Sequence, residues 1–368
     1  MNLLRSEHDV VDYLLERRLL RPEQIVDGML LTSNVSRRNL NFKVVSDNGP
    51  SFLVKQAVAL PKMATLAHEA AVYGFLRSTP GGVRLSRYLP HFHLYDRDNQ
   101  ILILPVMPGA ESLASYNRRR GQPSIIVARQ LGKGLAALHT AAFGDTARGR
   151  FPQSEPRAFS LHRPDMQAFL TSASASLEFV RILQQSAALC DGIEAVRADW
   201  RDESLVHGDL RPDNCVVYSA SGSHPTNIFL VDWEFAGAGD AGWDVGTIFA
   251  EYLSFWLDSV PLGGEMPVAL SVALAGLPLK AIWPSIRAFW QAYKSSLPGG
   301  RAPNSTAVGH AVQLGAVRMV QIGFEQSQTE ERVPAKSIAL LQLASNILER
   351  PQESAVQLFG FELHEVHP

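Results

Sequence analysis

A chain of 368 residues is longer than one hydrophobic core usually supports, so its length alone predicts two domains. Hydrophobic residues make up 46% of the chain and charged residues 19%, which is typical of a packed protein and excludes a disordered one. The net charge of −2 argues against binding to nucleic acid or to a membrane surface through overall charge.

The cysteines and the N-terminus exclude further classes. Cys190 and Cys215 lie in different segments, so they form neither a metal-ligand spacing nor a disulfide framework. The first residues lack the apolar segment of a signal peptide, and no uninterrupted apolar stretch is long enough to span a bilayer. We therefore expect a cytoplasmic protein with no nucleic acid and no membrane partner.

Two helices, a hairpin and a buried strand are predicted in the first part of the chain. Ser6 and Asp9 form a capping-box-like start to the first helix, which ends before Pro22. The hairpin is predicted around the turn Asp47-Asn48-Gly49-Pro50. The predicted segments are a helix at 6–21, a loop at 32–41 and the two hairpin strands at 42–45 and 51–56. A second helix at 63–76 and a buried strand at 101–104 follow.

Helical periodicity dominates the rest of the chain. Apolar residues repeat at three- and four-residue spacing over 124–140, which predicts an amphipathic helix. A loop over 144–164 and helical patterns over 165–200 and from 241 onward follow, with two short strands at 215–218 and 228–232. Because strands cluster early and helices late, we expect an α+β fold with a small antiparallel-sheet lobe over 1–106 and a large, mainly helical lobe over 107–368.

The most informative motif is His-Gly-Asp-Leu-Arg-Pro-Asp-Asn at residues 207–214. Asp209 is followed by Asn214, and Asp232 stands at the end of the next predicted strand. This is the layout of kinase-type phosphoryl transfer. Asp209 can accept the proton of an incoming hydroxyl, while Asn214 and Asp232 can hold Mg²⁺ against the phosphates of ATP. The motif therefore predicts a phosphotransferase in which Asp209 is the catalytic base.

The motif resembles the catalytic loop of the aminoglycoside phosphotransferase and choline kinase superfamily. This resemblance implies a bilobal, protein-kinase-like fold in which Asn214 is a magnesium ligand and Asp232 corresponds to the Asp of the Asp-Phe-Gly motif of protein kinases. His207 is implied to brace the loop through a hydrogen bond. Asp244, in the downstream segment Gly-Asp-Ala-Gly-Trp-Asp-Val-Gly, is implied to stabilise the catalytic loop rather than to contact the substrate.

Kinase chemistry also requires a cation that grips the nucleotide phosphates and an acid that holds this cation. Lys55 lies on the second hairpin strand and matches the strand lysine of that scheme, and Glu69 in the following helix is its expected partner. The alternative is an exposed strand lysine and a solvated helix glutamate. If Lys55 and Glu69 act as a pair, the small lobe binds the nucleotide and the helical lobe carries the catalytic loop and the acceptor site.

The loop before the hairpin differs from the phosphate-covering loop of protein kinases, because it contains no glycine. Hydroxyl, guanidinium and amide groups can still receive phosphate oxygens. Ser36, Arg37 and Asn39 are the candidate phosphate contacts. A loop with two solvated arginines, Arg37 and Arg38, is the alternative.

Two local patterns are similar to methylthioribose kinases. One lies in the segments 39–42 and 53–57, and the other is Asp-Trp-Glu-Phe-Ala at 232–236. The second similarity implies that Glu234 is a further acid of the metal site, with a structural role as the alternative. Those kinases place two adjacent arginines on a late helix for their substrate, whereas this chain has only Arg318 there.

Three functions remain open for the whole chain. The leading one is an ATP- and Mg²⁺-dependent phosphotransferase that transfers the γ-phosphate to an alcohol group of a small molecule. The second is a kinase-like subunit that phosphorylates Ser or Thr of a peptide in natural-product maturation, together with a partner enzyme. The third is a nucleotide-binding pseudokinase that scaffolds a partner protein. The intact motif residues favour catalysis, and the glycine-free loop favours the scaffold.

Overall fold

The computed structural model describes residues 3–36, 40–79, 82–107, 109–141, 151–164, 173–219, 227–263, 266–298 and 308–362. These residues form two compact units. The first unit comprises Met1–Leu113 and Asp213–Ala236, and the second comprises Ala114–Pro212 and Gly237–Pro368. A small antiparallel sheet and a mainly helical remainder confirm the predicted α+β fold class.

Four α-helices and a five-stranded antiparallel sheet occur among the described residues of the first unit. The helices are α1 (Glu7–Glu16), α2 (Pro22–Val26), α3 (Leu60–Ser78) and α4 (Gly82–Leu85), with a 3₁₀ turn at Ser86–Tyr88. The strands are β1 (Leu30–Asn34), β2 (Leu40–Ser46), β3 (Ser51–Gln56), β4 (Leu94–Asp96) and β5 (Ile101–Val106). Their order in the sheet is β1-β2-β3-β5-β4, and every pair is antiparallel.

The start of the first unit follows the sequence-based prediction closely. The Ser6 side chain accepts a hydrogen bond from the Asp9 backbone N–H, and the Asp9 carboxylate accepts one from the Ser6 N–H, so the predicted capping box is confirmed. The hairpin is also confirmed, since β2 pairs with β3 across the 47–50 turn. Alternate hairpin residues, including Phe42 and Phe52, are buried against α1 in one core.

One predicted loop is partly a strand. The sequence-based interpretation of 32–41 as a loop is wrong at both ends, because β1 continues to Asn34 and β2 begins at Leu40, and β1 pairs with β2 over its whole length. None of the five β1 residues is buried, and Leu31, Ser33 and Asn34 are exposed. An edge strand with this polar composition carries no hydrophobic alternation, which is the signal that strand prediction relies on.

Asp213–Ala236 belongs to the first unit although it lies far along the chain. This segment contains β8 (Cys215–Tyr218) and β9 (Asn227–Leu230), and β6 (Glu111–Ser112) pairs with β8 to complete a three-stranded antiparallel sheet. The predicted division at 106 and 107 therefore differs from the compact units, because strand pairing brings the later segment to the earlier one. A one-dimensional boundary does not describe such an arrangement.

The second unit is mainly helical. Its two short strands, β7 (Ser204–Val206) and β10 (Gly237–Gly239), pair with each other. Its helices are α5 (Leu113–Arg120), α6 (Ile125–His139), α7 (Ser174–Gln184), α8 (Ala187–Ala198), α9 (Ala241–Leu257), α10 (Val268–Ala273), α11 (Trp283–Ser296), α12 (Val308–Ser327), α13 (Ala335–Glu349) and α14 (Pro351–Gln357). None of the described helices is long and apolar enough to cross a membrane.

The centre of the second unit is the packing of α9 against α12. Nearly every residue of α9 is buried, so this helix is covered on all sides. A Cβ on Gly246 would lie 2.5 Å from the backbone oxygen of Ala311 and 2.6 Å from the backbone nitrogen of Gly315. The two backbones therefore approach more closely than any side chain would allow, and this contact fixes the start of α9, where Asp244 lies.

Candidate active site

The structure brings Lys55, Glu69 and Asp232 together within the first unit. The Lys55 ammonium donates to both carboxylate oxygens of Glu69, at 3.0 and 3.1 Å, and to Oδ1 of Asp232 at 2.9 Å. Glu69 is only 2% exposed and Lys55 only 9%. The interpretation of Lys55 as an exposed strand lysine and of Glu69 as a solvated helix glutamate is therefore wrong, and the expected pair exists.

The local backbone explains this meeting of three side chains. Lys55 lies on β3, whose neighbours are β2 and β5, so its position is fixed from both sides. Glu69 lies in the middle of α3 on its buried face. Asp232 follows β9 and has φ of +68°, a left-handed conformation that non-glycine residues rarely adopt. Such conformations cost free energy and persist where the surroundings require them, which marks Asp232 as a functional candidate.

The charges of this cluster do not balance. Burial raises the pKa of the Glu69 carboxyl to about 6, which the adjacent Lys55 ammonium only partly offsets. The negative charges of Asp232 and Glu234 raise this pKa further. Burial alone would lower the pKa of Lys55, but Glu69 and Asp232 outweigh it and raise this pKa above its usual range. One ammonium group thus faces two carboxylates, and the charge of a third acid, Glu234, also acts on Glu69, which favours binding of an additional cation.

Asn214 lies close to the same segment as Asp232. It ends the 3₁₀ turn Pro212–Asn214, is 5% exposed, and its backbone oxygen accepts a hydrogen bond from the N–H of Val231 at 3.0 Å. This bond joins the residue before Asp232 to the start of β8. In the described part of the chain no three His, Cys, Asp or Glu side chains form a metal-binding group. Asn214, Asp232 and Glu234 supply one amide and two carboxylates, and such oxygen ligands suit Mg²⁺, which uses few protein carboxylates together with phosphates.

The second unit holds the loop at 207–212 that carries Asp209. The Asp244 carboxylate accepts hydrogen bonds from the backbone N–H groups of His207 at 2.7 Å and Gly208 at 3.1 Å. The Trp243 indole N–H donates to the Gly208 oxygen at 3.0 Å. Both residues stand in the first turn of α9, so the start of this helix positions the loop. The backbone amide of His207 thus takes part in a hydrogen bond that holds the loop.

A buried histidine and tyrosine extend this brace, and sequence reasoning missed both. Nε2 of His139, the last residue of α6, lies 3.2 Å from Oδ2 of Asp244, and its Nδ1 lies 2.8 Å from the hydroxyl of Tyr293 on α11. Because a carboxylate only accepts, Nε2 of His139 carries the hydrogen in the contact with Asp244. The sequence signal that could have identified His139 is its position as a polar residue at the end of the apolar face of α6.

Asp209 lies near a group of buried charges on α9 and α12. Arg211 Nε is 3.5 Å from the Asp209 carboxylate. Arg318 is only 2% exposed, and its guanidinium donates to Glu325 at 3.0 Å and to Glu251 at 3.3 Å. Burial would lower the pKa of Arg318, but the charges of Glu325, Glu251 and Asp209 raise it.

The two glutamates respond to Arg318 differently. Burial raises the pKa of Glu251, and the charge of Arg318 only reduces this effect. For Glu325 burial also acts to raise the pKa, but Arg318 and a hydrogen bond from Gln321 outweigh it and the pKa is lowered. Glu325 lies in the last turn of α12 and forms an ion pair with Arg318.

The candidate phosphate loop is described only at its start. Ser36 is exposed, and its hydroxyl oxygen accepts a hydrogen bond from the Asn41 N–H at 2.9 Å. The Ser36 N–H donates to Oδ1 of Asn34 at 3.0 Å. Ser36 therefore closes the turn between β1 and β2, which leaves its contact to phosphate a prediction. Arg37 and Asn39 lie outside the described residues.

Comparison with known families gives the class of the protein. The family described as the phosphotransferase enzyme family matches residues 33–277, which is more than half of the chain and includes every candidate site residue named above except Arg318 and the residues of α11 and α12. The chain belongs to the phosphotransferase enzyme family. The predictions of a phosphotransferase and of the aminoglycoside phosphotransferase and choline kinase superfamily are thereby confirmed. The local similarity to methylthioribose kinases remains a prediction. No curated protein matches the chain.

Solved structures show the same fold. The ADP-bound aminoglycoside phosphotransferase APH(2'')-Ib is 12% identical with a TM-score of 0.53, and the match covers 97% of this chain and 99% of that one. Macrolide 2'-phosphotransferase type I is 14% identical with a TM-score of 0.51, over 92% and 99%. A choline/ethanolamine kinase family protein from Mesorhizobium loti is 14% identical with a TM-score of 0.51, over 97% and 98%. The predicted kinase-like fold is confirmed.

Proposed function

We propose that this protein is an ATP- and Mg²⁺-dependent phosphotransferase that transfers the γ-phosphate to an alcohol group of a small molecule. The observation that carries the proposal is the buried contact of Lys55 with Glu69 and Asp232. A lysine held in this way presents a fixed positive charge, which phosphoryl transfer requires for positioning its nucleotide. The structure described for an aminoglycoside phosphotransferase with bound ADP supports the choice of an adenine nucleotide.

Lys55 would hold nucleotide phosphates while Glu69 keeps it in place. The two hydrogen bonds that the ammonium group donates to Glu69 restrict it to one position, so little conformational entropy is lost when a phosphate binds. A phosphate oxygen would compete with Asp232 for the same ammonium group. If the Asp232 carboxylate moved toward a metal ion, the metal would compensate its negative charge and the phosphate would compensate the positive charge of Lys55. Ser36, Arg37 and Asn39 are proposed as additional phosphate contacts.

Asn214, Asp232 and Glu234 would hold Mg²⁺. When bound, the ion neutralises negative charge on the phosphates of ATP and on the cluster itself. The excess of carboxyl groups around Lys55 supports this proposal, because burying like charges together is unfavourable without a cation. The backbone bond from Val231 to Asn214 would keep the two ligand-bearing segments in register.

Asp209 would act as the catalytic base. Its carboxylate would accept the proton of the acceptor hydroxyl as that oxygen bonds to the γ-phosphorus and the bond from phosphorus to the departing ADP oxygen breaks. Asp244 would keep the loop in position through the hydrogen bonds that its carboxylate accepts from two backbone N–H groups. Positioning of this kind accounts for a large part of the rate in phosphoryl transfer, since little covalent chemistry is required of the protein. A cytoplasmic location, where ATP is available, is part of the proposal.

The test is Mg²⁺-dependent release of ADP from ATP by the purified protein with pools of sugars, amino alcohols, aminoglycosides and Ser/Thr-rich peptides offered separately. We expect turnover with one of the small-molecule pools, lost in Asp209→Asn and kept in Asp213→Asn. Asp213 is the matched control because it is an exposed acid of the same motif. Turnover with peptides alone would contradict the small-molecule acceptor. Turnover that survives in Asp209→Asn would contradict the assignment of the base.

A further inference from the structure

A cavity of about 420 Å³ lies on the second unit, and none of the proposed catalytic, metal-binding or nucleotide-binding residues lines it. Residues of α6, of α11 and of the 3₁₀ turn Leu279–Ala281 line it. The charged lining residues are Arg129, Lys280 and Arg287, and none of the residues that line the cavity is an acid. Cavities of this volume are typical of sites for small molecules.

Among the described residues, Arg129, Lys280 and Arg287 form no ion pair with Asp or Glu. Lys280 instead places its ammonium group 5.6 Å from the centre of the Trp283 ring. Arg287 uses its Nε–H for the backbone oxygen of Gly360, at 2.6 Å, which leaves the end of the guanidinium for the cavity. Like charges that converge on one cavity repel one another, and an anion between them lowers the free energy.

The sequence around the cavity excludes acids over long stretches. The chain contains 36 Asp and Glu residues, yet none occurs from Ser112 to Gly144 or from Met266 to Phe324. The first stretch contains all of α6, and the second contains all of α11. Because the whole chain carries a net charge of −2, this local excess of positive charge is a property of the surface that contains the cavity.

Part of the cavity wall is fixed before any ligand binds. The Trp283 indole N–H donates to the backbone oxygen of Leu358 at 3.0 Å. A Cβ on Gly360, which has φ of +71°, would lie 2.4 Å from Cδ2 of Trp283, so backbone and indole are in direct contact. Together with the bond from Arg287 to Gly360, these contacts hold one aromatic and one cationic group in place. A preformed wall reduces the ordering cost of binding.

We propose that this cavity binds a small oxyanion with two or more negative charges, such as a diphosphate or a tricarboxylate. Arg129, Lys280 and Arg287 supply the charge, and the guanidinium groups offer paired donors that match phosphate and carboxylate oxygens. The site is separate from the proposed nucleotide site, because it shares no residue with it. Binding stabilises the packing of α6 against α11, since both helices contribute cations to the same ligand.

The experiment is calorimetric titration of the metal-free protein with inorganic pyrophosphate and, separately, with citrate. We compare the unmodified chain with the double variant Arg129→Gln/Lys280→Gln. The matched control is Lys133→Gln/Lys294→Gln. It also removes two positive charges, one from α6 and one from α11, but at positions that do not line the cavity. Unfolding temperatures of all three proteins, measured without ligand, show that each is folded.

We expect saturable binding that weakens at least about tenfold in the cavity variant and remains unchanged in the control. Preference for pyrophosphate would identify a phosphate-bearing ligand, and preference for citrate would identify a carboxylate-bearing one. Binding should also weaken as salt is added, because the site is open to solvent. Equal affinity of the cavity variant and the unmodified chain would overturn the proposal, since binding would then occur elsewhere. Absence of saturable binding of both anions would overturn it as well.

Discussion

Lys55 in the first unit is held by carboxylates, whereas the loop that carries Asp209 in the second unit is held through backbone N–H groups. The first arrangement depends on the ionisation of each partner, so it responds to pH and to added cations. The second depends mainly on the position of one buried carboxylate, Asp244, and on the helix that carries it. The comparison shows that the contacts of the Lys55 ammonium group can change with pH or with added cations, while the loop that carries the proposed base keeps its position.

The largest effect is expected at the proposed base. Asp209→Asn should lower kcat about 10²- to 10⁴-fold, because the amide cannot accept the hydroxyl proton, while the affinity for ATP stays unchanged. Initial rates of ADP release and calorimetric titration with ATP measure the two quantities. The exposed Asp213→Asn variant is the control and should keep both. Equal losses of affinity and kcat in Asp209→Asn would mean that this residue serves nucleotide binding instead.

The next largest effect is expected from removing the ammonium group of the first unit. Lys55→Met should lower the free energy of unfolding by about 3 kcal/mol, because the buried Glu69 carboxyl loses its partner. Addition of Glu69→Gln to Lys55→Met should recover much of this stability but none of the activity. Chemical denaturation of the two single variants and the double variant gives the coupling free energy. Strictly additive effects would show that the two side chains do not stabilise each other.

A smaller effect is expected in the pH dependence of stability. Glu69 has a pKa of about 6 in the folded protein against a usual value of 4.5, so the folded state binds this proton more tightly than the unfolded state. Its contribution is fully present below pH 4.5 and is lost as the pH rises to about 6, and it amounts to about 2 kcal/mol.

The measurement is the free energy of unfolding of the unmodified protein and of Glu69→Gln from pH 4.5 to 7. Because the amide does not titrate, Glu69→Gln should gain stability relative to the unmodified protein as the pH rises. Titrating groups outside this cluster affect both proteins equally, so the difference between the two curves reports on Glu69 and on the charges coupled to it. Parallel curves would contradict the raised pKa of this group.

The smallest effect is expected at the far end of the brace in the second unit. Tyr293→Phe removes the hydroxyl that His139 contacts and should cost about 1 kcal/mol of stability. It should lower kcat while the KM for ATP stays unchanged, and it should speed hydrogen exchange at the amides of His207 and Gly208. Tyr95→Phe is the control, because its hydroxyl bonds to Gln100 in the first unit. Unchanged exchange at the two amides would exclude a role of Tyr293 in positioning the loop.

Local patterns in the sequence were sufficient for much of the candidate site. The spacing of Asp209, Asn214 and Asp232 predicted a kinase-type arrangement of a base and two metal ligands. The predicted hairpin placed Lys55 on a strand ahead of the helix that carries Glu69. These features depend on neighbouring residues, whose propensities and periodicity act over one turn or one strand. The same information predicted the capping box of α1 and the helix α6 nearly to its ends.

The features that sequence reasoning missed join residues that are distant along the chain. Tyr293 meets His139 across 154 positions, and Arg318 meets Glu251 across 67. The hydrophobic periodicity of the sequence does not predict such pairs, because each partner considered alone is an ordinary residue of a helix. The cavity cations Arg129 and Arg287 are a further example, since their convergence depends on how α6 packs against α11.

The sequence by itself therefore determined which groups this protein has available: the proposed base Asp209, two further carboxylates, an amide and a lysine in a kinase-like order. The tertiary structure alone decided how these groups are held. It placed Asp213–Ala236 beside the first strands, gave Asp232 its left-handed backbone and set Asp244 beneath the loop. The physical reason is that burial, ion pairing and backbone conformation depend on contacts between distant segments, which only the packed chain contains.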